Sequence, residues 1–352
     1  MSDGFAATAG KAARPGSWWL RRLADACLLM GSTLFLVLTL ATFFGTWHWL
    51  PDLVTHFRPQ LLAVAAVLVV LLALARRLRW ALPVLVAASV HGAVLMWPVQ
   101  KPVASEPGPA LRLVAFNLYF ENTTFGPALG WLREQRPDIL ILSEASIPWQ
   151  SRLDALADQL PYSTLDLPGG RSWDIVVMSR YPIRSFAPET PTDADGNPVW
   201  PSPFRLVTEV DGRPLVVWAV HPPSPVSPGS WQARNNYQRW VARQVAAEDP
   251  ALPVIVAGDF NQTPWTPWHG LFLERSGLVD ATGTSWPVAT RRPRGGLPWS
   301  LLATPIDRVL LRPGIGVTSF AVGPQLGSDH NPVIADLVLG RPPRRPGLAD
   351  GR

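Results

Sequence analysis

Several polar residues in this 352-residue chain stand where apolar runs stop. Asn117 ends "LVAFN", Glu144 follows "ILILS", His221 follows "VVWAV", and Asp259 and Asn261 close "VIVAGDFN". Asp307 opens "DRVLL", and Asp329 and His330 precede "NPVIADLVL". Each lies at a seam between a buried strand and a loop. An unpaired carboxylate at such a place is costly. A sequence that repeats the pattern gathers these groups around a cation, or into mutual hydrogen bonds, at one edge of a sheet. Cys27 is the only cysteine, so a thiolate zinc site and an intrachain disulfide are both excluded. Oxygen ligands without thiolate favour Mg²⁺, or Mn²⁺, over zinc.

Taken singly, each residue has an ordinary structural explanation. Asn117 suits a turn, Glu144 a solvated strand end, and Asp259 after Gly258 a tight turn. Asp307 could cap a turn, and His221 and His330 could be packed histidines. The set in this order is what favours chemistry.

The elements that must position these residues are legible from Leu111 onward. "LRLVAFNLYF", "ILILSEAS", "WDIVVMSRYPI", "FRLVTEV", "PLVVWAVH", "PVIVAGDF", "PIDRVLLR" and "NPVIADLVL" read as strands. "FGPALGWLREQRPD", "SRLDALADQL", "SWQARNNYQRWVARQVAAED" and the stretch near "TPWHGLFLERSG" read as helices. Strands and helices mixed over 111–340 predict one sizeable α/β domain.

The first hundred residues are different. Charge-free runs cover 27–51, 59–75 and 80–100. A helix needs roughly 20 apolar residues to cross a bilayer core about 30 Å thick, which the first and third runs meet and the second approaches. The chain is 47% hydrophobic and 16% charged, too apolar for an ordinary soluble enzyme, which suits a membrane region joined to a globular domain. Its net charge of +5 suits anionic partners without choosing among them. Lys11, Arg14, Arg21 and Arg22 precede the first run, and Arg76, Arg77 and Arg79 separate the second from the third. The positive-inside rule then puts both basic segments in the cytoplasm and everything after about Lys101 outside. The expected organisation is a basic cytoplasmic N-terminus (1–25), three transmembrane helices (26–100), a Pro-rich linker (101–110), a catalytic domain (111–340) and a basic tail (341–352). His48 and His91, in the apolar runs, read as interfacial or packed histidines.

The succession Asn117, "SEA" at 143–145, "SRYP", His221, "GDFN" at 258–261, "ID" at 306–307 and "SDHNPV" from 328 resembles the endonuclease/exonuclease/phosphatase superfamily. That superfamily includes DNase-I-like nucleases, inositol polyphosphate phosphatases and neutral sphingomyelinases. The resemblance covers roughly 111–340 and implies a four-layer α/β/β/α sandwich behind the three helices. With the apolar front, it looks like the membrane-anchored bacterial branch, some of whose members are linked to glycopeptide resistance and to undecaprenyl pyrophosphate.

The resemblance implies roles. Glu144 is the first metal ligand, Asn117 supports the metal through its side-chain oxygen, and Asp329 completes the site or stands behind it. Asp259 positions or deprotonates the attacking water, and Asn261 hydrogen-bonds a phosphoryl oxygen. His330 contacts the scissile phosphate while Asp307 fixes its tautomer, and His221 is a second phosphate contact with Asp174 as its candidate partner. The implied cofactor is Mg²⁺, with Mn²⁺ as the other choice. The chain departs from the pattern before His221, where the usual "NTH" reads "WAVHPPSP". Trp265 and Trp268 beside "GDFN" could pack, meet lipid or stack bases, with packing the default and lipid ahead of bases.

The leading expectation is an inner-membrane, multi-pass phosphoesterase with an extracytoplasmic site acting on a lipid phosphate or pyrophosphate. A tethered nuclease is second; only "RRPRGG" at 291–296 resembles a basic patch. A non-catalytic binding module is third, and the completeness of the polar set argues against it.

Overall fold

The computed structural model describes residues 17–96, 101–193, 195–283, 288–296 and 299–340. The tail expected at 341–352 and the basic residues Lys11 and Arg14 lie outside the described residues.

The apolar front folds into helices α1 (Ser17–Ala41), α2 (Trp49–Thr55), α3 (Arg58–Leu74) and α4 (Leu78–Leu95). Phe35, Ala65, Leu72 and Val84 form their shared core, while Leu34, Val37, Leu40, Val67, Val70 and Val86 stay exposed on the outside. An apolar exterior of this kind suits lipid. The stretches Trp18–Phe44 and Leu78–Leu95 are each long and apolar enough to cross a membrane. Helices α2 and α3 meet at a 72° bend, and the pair would be the third span if it serves as one.

The first charge-free run is not one helix, as its hydropathy suggested. Helix α1 ends at Ala41, and α2 begins only at Trp49, where the His48 side chain accepts from Leu50 N. Asp25 and Arg77 pair at 2.5 Å, which places the start of α1 beside the α3–α4 turn. His91 is fully buried between Thr39 and Arg58, so it is a packed histidine.

From Ala110 the chain runs through β1 (Ala110–Asn117), α5 (Phe125–Gln135), β2 (Ile139–Ser143), the single turn α6 (Ile147–Gln150), β3 (Tyr162–Ser163) and β4 (Val176–Ser179). It continues as β5 (Ile183–Pro188), β6 (Phe204–Val210), β7 (Arg213–Val220), α7 (Pro228–Ala247), β8 (Val254–Asp259) and α8 (Pro267–Ser276). Strands β9 (Val279–Asp280), β10 (Asp307–Leu311), β11 (Ile315–Val322) and β12 (Val333–Leu339) complete it. One sheet has the order β11-β12-β1-β2-β4-β3, the other β5-β6-β7-β8-β10-β9. Within them β1 with β2 and β7 with β8 pair in parallel.

Side-chain alternation along the strands builds the layers. Leu113 and Ala115 of β1, Ile255 and Ala257 of β8, and Val309 and Leu311 of β10 meet in the core between the sheets. Val114 and Phe116 face outward onto α5, and Val254 and Val256 face outward onto α7 and α8. The result is the α/β/β/α sandwich. Continued by two residues, the inward series arrives at Asn117, Asp259 and Asp307, which therefore lie in the gap between the sheets at one end.

"SRLDALADQL" forms a 3₁₀ turn at Leu153–Leu156 rather than the expected helix. Leu153 and Leu156 are both buried, and a three-residue repeat meets that spacing as well as an α-helix does. The 101–110 segment runs against the sandwich: Val317 N donates to Pro102 O and Ser105 N to Gly314 O.

Gly258 brings Asp259 into place. Its φ is +141°, and a Cβ there would lie 2.1 Å from the carbonyl oxygen of Val220 on the paired strand. Backbone cannot move aside as a side chain does. Gly258→Ala should cost about 3 kcal/mol or more, read as a lowered denaturation midpoint. An unchanged midpoint would mean that β7 and β8 are less closely apposed.

Candidate active site

Asn117 sits at the centre. Its Nδ2 donates to Glu144 Oε1 at 2.8 Å and to Asp259 Oδ2 at 3.1 Å, and its Oδ1 accepts from Tyr119 N at 2.9 Å. The amide thus holds the two carboxylates together with its nitrogen. The Asn117 oxygen, expected to support a metal, accepts one hydrogen bond from Tyr119 N and keeps a second lone pair.

Two imidazoles point at the same place. His221 Nδ1 is 2.7 Å from Asp174 Oδ1, leaving Nε2 at 3.7 Å from Asp259 Oδ2 and 3.8 Å from Glu144 Oε1. His330 Nδ1 is 2.9 Å from Asp307 Oδ2, leaving Nε2 at 3.7 Å from Asp259 Oδ2. Each ring therefore carries a carboxylate on Nδ1 and presents Nε2 inward. Asp174 does more, since its Oδ1 also accepts from Glu144 N at 3.0 Å.

The backbone turns sharply at these points. Tyr119, Glu144 and Asn261 have φ of 59°, 53° and 48°, in the left-handed region that non-glycine residues seldom occupy. Asn261 N donates to Asp259 Oδ1 at 2.7 Å, which stabilises its turn. The strand ends at Asp259, so Asn261 does not share a strand face with it. Asn261 Nδ2 donates to Pro222 O at 3.0 Å, which anchors the proline-rich loop beside the site.

Asp259 and Asp307 are directly opposed across the antiparallel pair of β8 and β10, and both are buried. Like charges so placed repel. Burial first, and then Asp307 beside it, raises the Asp259 carboxyl above the ordinary range against the pull of both imidazoles. For His221, burial favours the neutral ring, but the charges of Asp174, Asp259 and Glu144 and the Asp174 hydrogen bond outweigh it and lift the ring to about 10. His330 follows the same balance, with Asp307 and Asp259 outweighing burial to reach about 9.

Asp329 lies at the edge. Its Oδ2 accepts from Arg291 Nε at 3.1 Å, and its Oδ1 is 3.9 Å from His330 Nε2. One of its oxygens is thus already neutralised by a guanidinium. Supporting residues that the sequence reading did not single out are Ser328, whose Oγ donates to Asn117 O and accepts from His330 N, and Tyr237, whose hydroxyl accepts from His221 N. The serine of "SDHN" was the available signal; nothing in the sequence around Tyr237 marks it. Trp265 and Trp268 are buried, so neither reaches lipid nor stacks bases.

The sequence profile of the Endonuclease/Exonuclease/phosphatase family matches residues 114–330, more than half of the chain. The chain belongs to that family. Its members act on phosphate esters and depend on divalent metal, so the chain is a phosphoesterase by family. Among solved structures it is similar to an endonuclease/exonuclease/phosphatase from Beutenbergia cavernae DSM 12333, at 24% identity and TM-score 0.50 over 66% of this chain and 72% of that one. It is similar to TDP2 from Caenorhabditis elegans, at 14% and 0.52 over 65% and 74%. It is also similar to D. rerio TDP2 complexed with a single-strand DNA product, at 16% and 0.50 over 65% and 98%. At these identities the likeness is one of fold. A search of curated protein sequences finds no match.

The imidazoles give the metal-free protein a pH signature. Their folded values lie above the unfolded 6.5, so the stability they contribute is complete below about pH 6.5 and is lost as pH rises through 9 to 10. In EDTA, the Tm of the family member should fall between pH 7 and 10 by about 4 °C more than that of the His221→Asn/His330→Asn variant. Parallel Tm profiles would contradict the assignment of charged rings.

Proposed function

We propose that this phosphoesterase is membrane-anchored and metal-dependent, with an extracytoplasmic site that hydrolyses a phosphate ester or pyrophosphate of a lipid such as undecaprenyl pyrophosphate. The observation that carries the reading is the convergence of Glu144, Asp259, His221 and His330 on the Asn117 amide, at one end of a sandwich that rests on an apolar helical bundle.

The donor set fits a hard cation. Asp259, Asp307 and His330 offer ligand atoms within 4.8 Å of one another, and Glu144 adds a carboxylate on the other side of Asn117. Asp307 already faces His330 Nδ1 with both oxygens, at 2.9 and 3.1 Å. The Glu144 side is therefore the better seat, with Glu144 as first ligand and Asp259 beside it. Bound there, Mg²⁺ or Mn²⁺ would neutralise charge on the phosphoryl group and acidify a water. Asp329, held by Arg291, stands beside His330.

The chain's own groups supply the rest. Asp259 Oδ2 orients the attacking water and takes its proton, a role its raised proton affinity suits. His330 Nε2 donates to the phosphoryl or leaving oxygen, and Asp307 keeps its ring in the donor tautomer. His221 Nε2, held by Asp174, makes the second phosphate contact. Asn261 has a further N–H for a phosphoryl oxygen beyond the one given to Pro222.

The bundle supports this anchoring and orientation. Arg21, Arg22, Arg76, Arg77 and Arg79 gather at the end marked by the Asp25 and Arg77 pair. The other end meets the sandwich. With α1, α3 and α4 as spans, the positive-inside rule puts the site outside the cytoplasm. A second reading, a tethered nuclease, draws on Arg291 beside the site and on Arg294, which lies 4.9 Å above the Tyr119 ring.

Detergent-purified protein should release phosphate from undecaprenyl pyrophosphate with Mg²⁺. It should lose that activity in EDTA, and fall at least 10³-fold in Asp259→Asn with folding intact. Full activity in Asp259→Asn would overturn the site. Cleavage of single-stranded DNA with a steep salt dependence, and no lipid turnover, would favour the nuclease.

A further inference from the structure

The connector between α1 and α3 is bound tightly to the sandwich. Asp52 of α2 and Arg234 of α7 form an ion pair at 2.6 Å in which both side chains are fully buried. Trp231 Nε1 donates to the same Asp52 oxygen at 3.1 Å. On either side, Trp268 Nε1 donates to Gly45 O and Trp265 Nε1 to His56 O, each at 3.2 Å. Gln60 Nε2, at the start of α3, donates to Leu301 O and Ala303 O at 3.0 and 3.1 Å. Contacts thus run from Gly45 to Gln60, all at the end of the bundle away from Asp25 and Arg77.

These contacts land next to the chemistry. Trp265 lies four residues after Asn261, in the turn between β8 and α8. Arg234 lies one helical turn before Gln238, whose Nε2 donates to Phe260 O at 3.0 Å, between Asp259 and Asn261. The membrane connector and the 259–261 stretch are therefore fastened to the same two elements, α7 and the start of α8.

The physics of the ion pair suggests its purpose. A fully desolvated pair gains little net stability over an apolar pair of equal size, while its hydrogen-bonded geometry is met in one arrangement of its partners. Three indole N–H groups aimed at single acceptors have the same effect. A tether alone would need neither, since α4 already joins the sandwich through the chain.

We propose that the 42–58 connector is a dock that holds the sandwich in one orientation on the bilayer, so that the site meets phosphates carried in the membrane surface. Asp52, Arg234, Trp265 and Trp268 are its positioning residues. The proposal rests on the phosphoesterase reading above, and it adds that preference for membrane-borne over free substrate is set at this intramolecular interface.

The test compares two substrates with the full-length protein in phosphatidylcholine vesicles. One is undecaprenyl pyrophosphate in the same bilayer; the other is water-soluble bis(4-nitrophenyl) phosphate. The main variant is Trp265→Phe/Trp268→Phe, which removes two N–H donors and keeps the aromatic packing. Asp52→Asn is the second, with Tm and gel filtration reporting on folding for both. The dock predicts a loss of about tenfold or more in kcat/KM on the vesicle substrate, with the soluble ester changed by less than twofold. Equal losses on both substrates, or no loss on either, would overturn the dock and leave the phosphoesterase intact. Wild-type turnover of the soluble ester alone would overturn the dock together with the lipid reading. Turnover of neither would overturn the proposed function itself.

Discussion

Two buried aspartates face each other across a strand pair, and the site is arranged around that opposition. Asp259 and Asp307 are register partners on β8 and β10, both on the face between the sheets. Left alone, this is a poor use of a sheet interior. His330 relieves Asp307, Asn117 approaches Asp259 from the other sheet, and His221 reaches it from the end of the neighbouring strand β7. The same groups that make the pair tolerable leave two inward Nε2 atoms and two carboxylates around one small space. The proposed cation and phosphate belong there, because positive charge and an anion that accepts hydrogen bonds each complete part of the set.

The scaffold contributes precision. Gly258 lets β8 pass the Val220 carbonyl and deliver Asp259, and the left-handed turns at Tyr119, Glu144 and Asn261 end the strands where the side chains must converge. Such turns cost energy and persist where surrounding contacts over-determine them. Here Asp174, Asp259 and the Asn117 oxygen accept from backbone N–H groups at these turns. Site geometry and backbone strain therefore share one hydrogen-bond network.

Much of this was legible in the sequence. The strand-end positions of Asn117, Glu144, His221, Asp259, Asp307 and His330 followed from where apolar runs stopped, and their order carried the family resemblance. What was not legible depended on three dimensions. That Asp174 also accepts from the Glu144 backbone needs the fold, since 30 residues separate them. The Asn117 amide faces the carboxylates with its nitrogen because of a turn two residues on. Hydropathy merged α1 and α2 into one run, since the docking of Asp52 and of the Gly45 carbonyl leaves no mark in composition. Trp265, for which packing was the default reading, is buried with its indole committed to His56 O. Strand β11 carries the mixed pattern of an edge strand and had no clear sequence signal.

The central claim is that the space bounded by Asn117, Glu144 and Asp259 takes a divalent cation. Anomalous diffraction from crystals soaked in Mn²⁺ tests this most directly. The account predicts one strong peak within coordination distance of Glu144, about 2.0–2.4 Å, and its loss in Glu144→Gln. A peak seated elsewhere, or one that persists unchanged in Glu144→Gln, would contradict it.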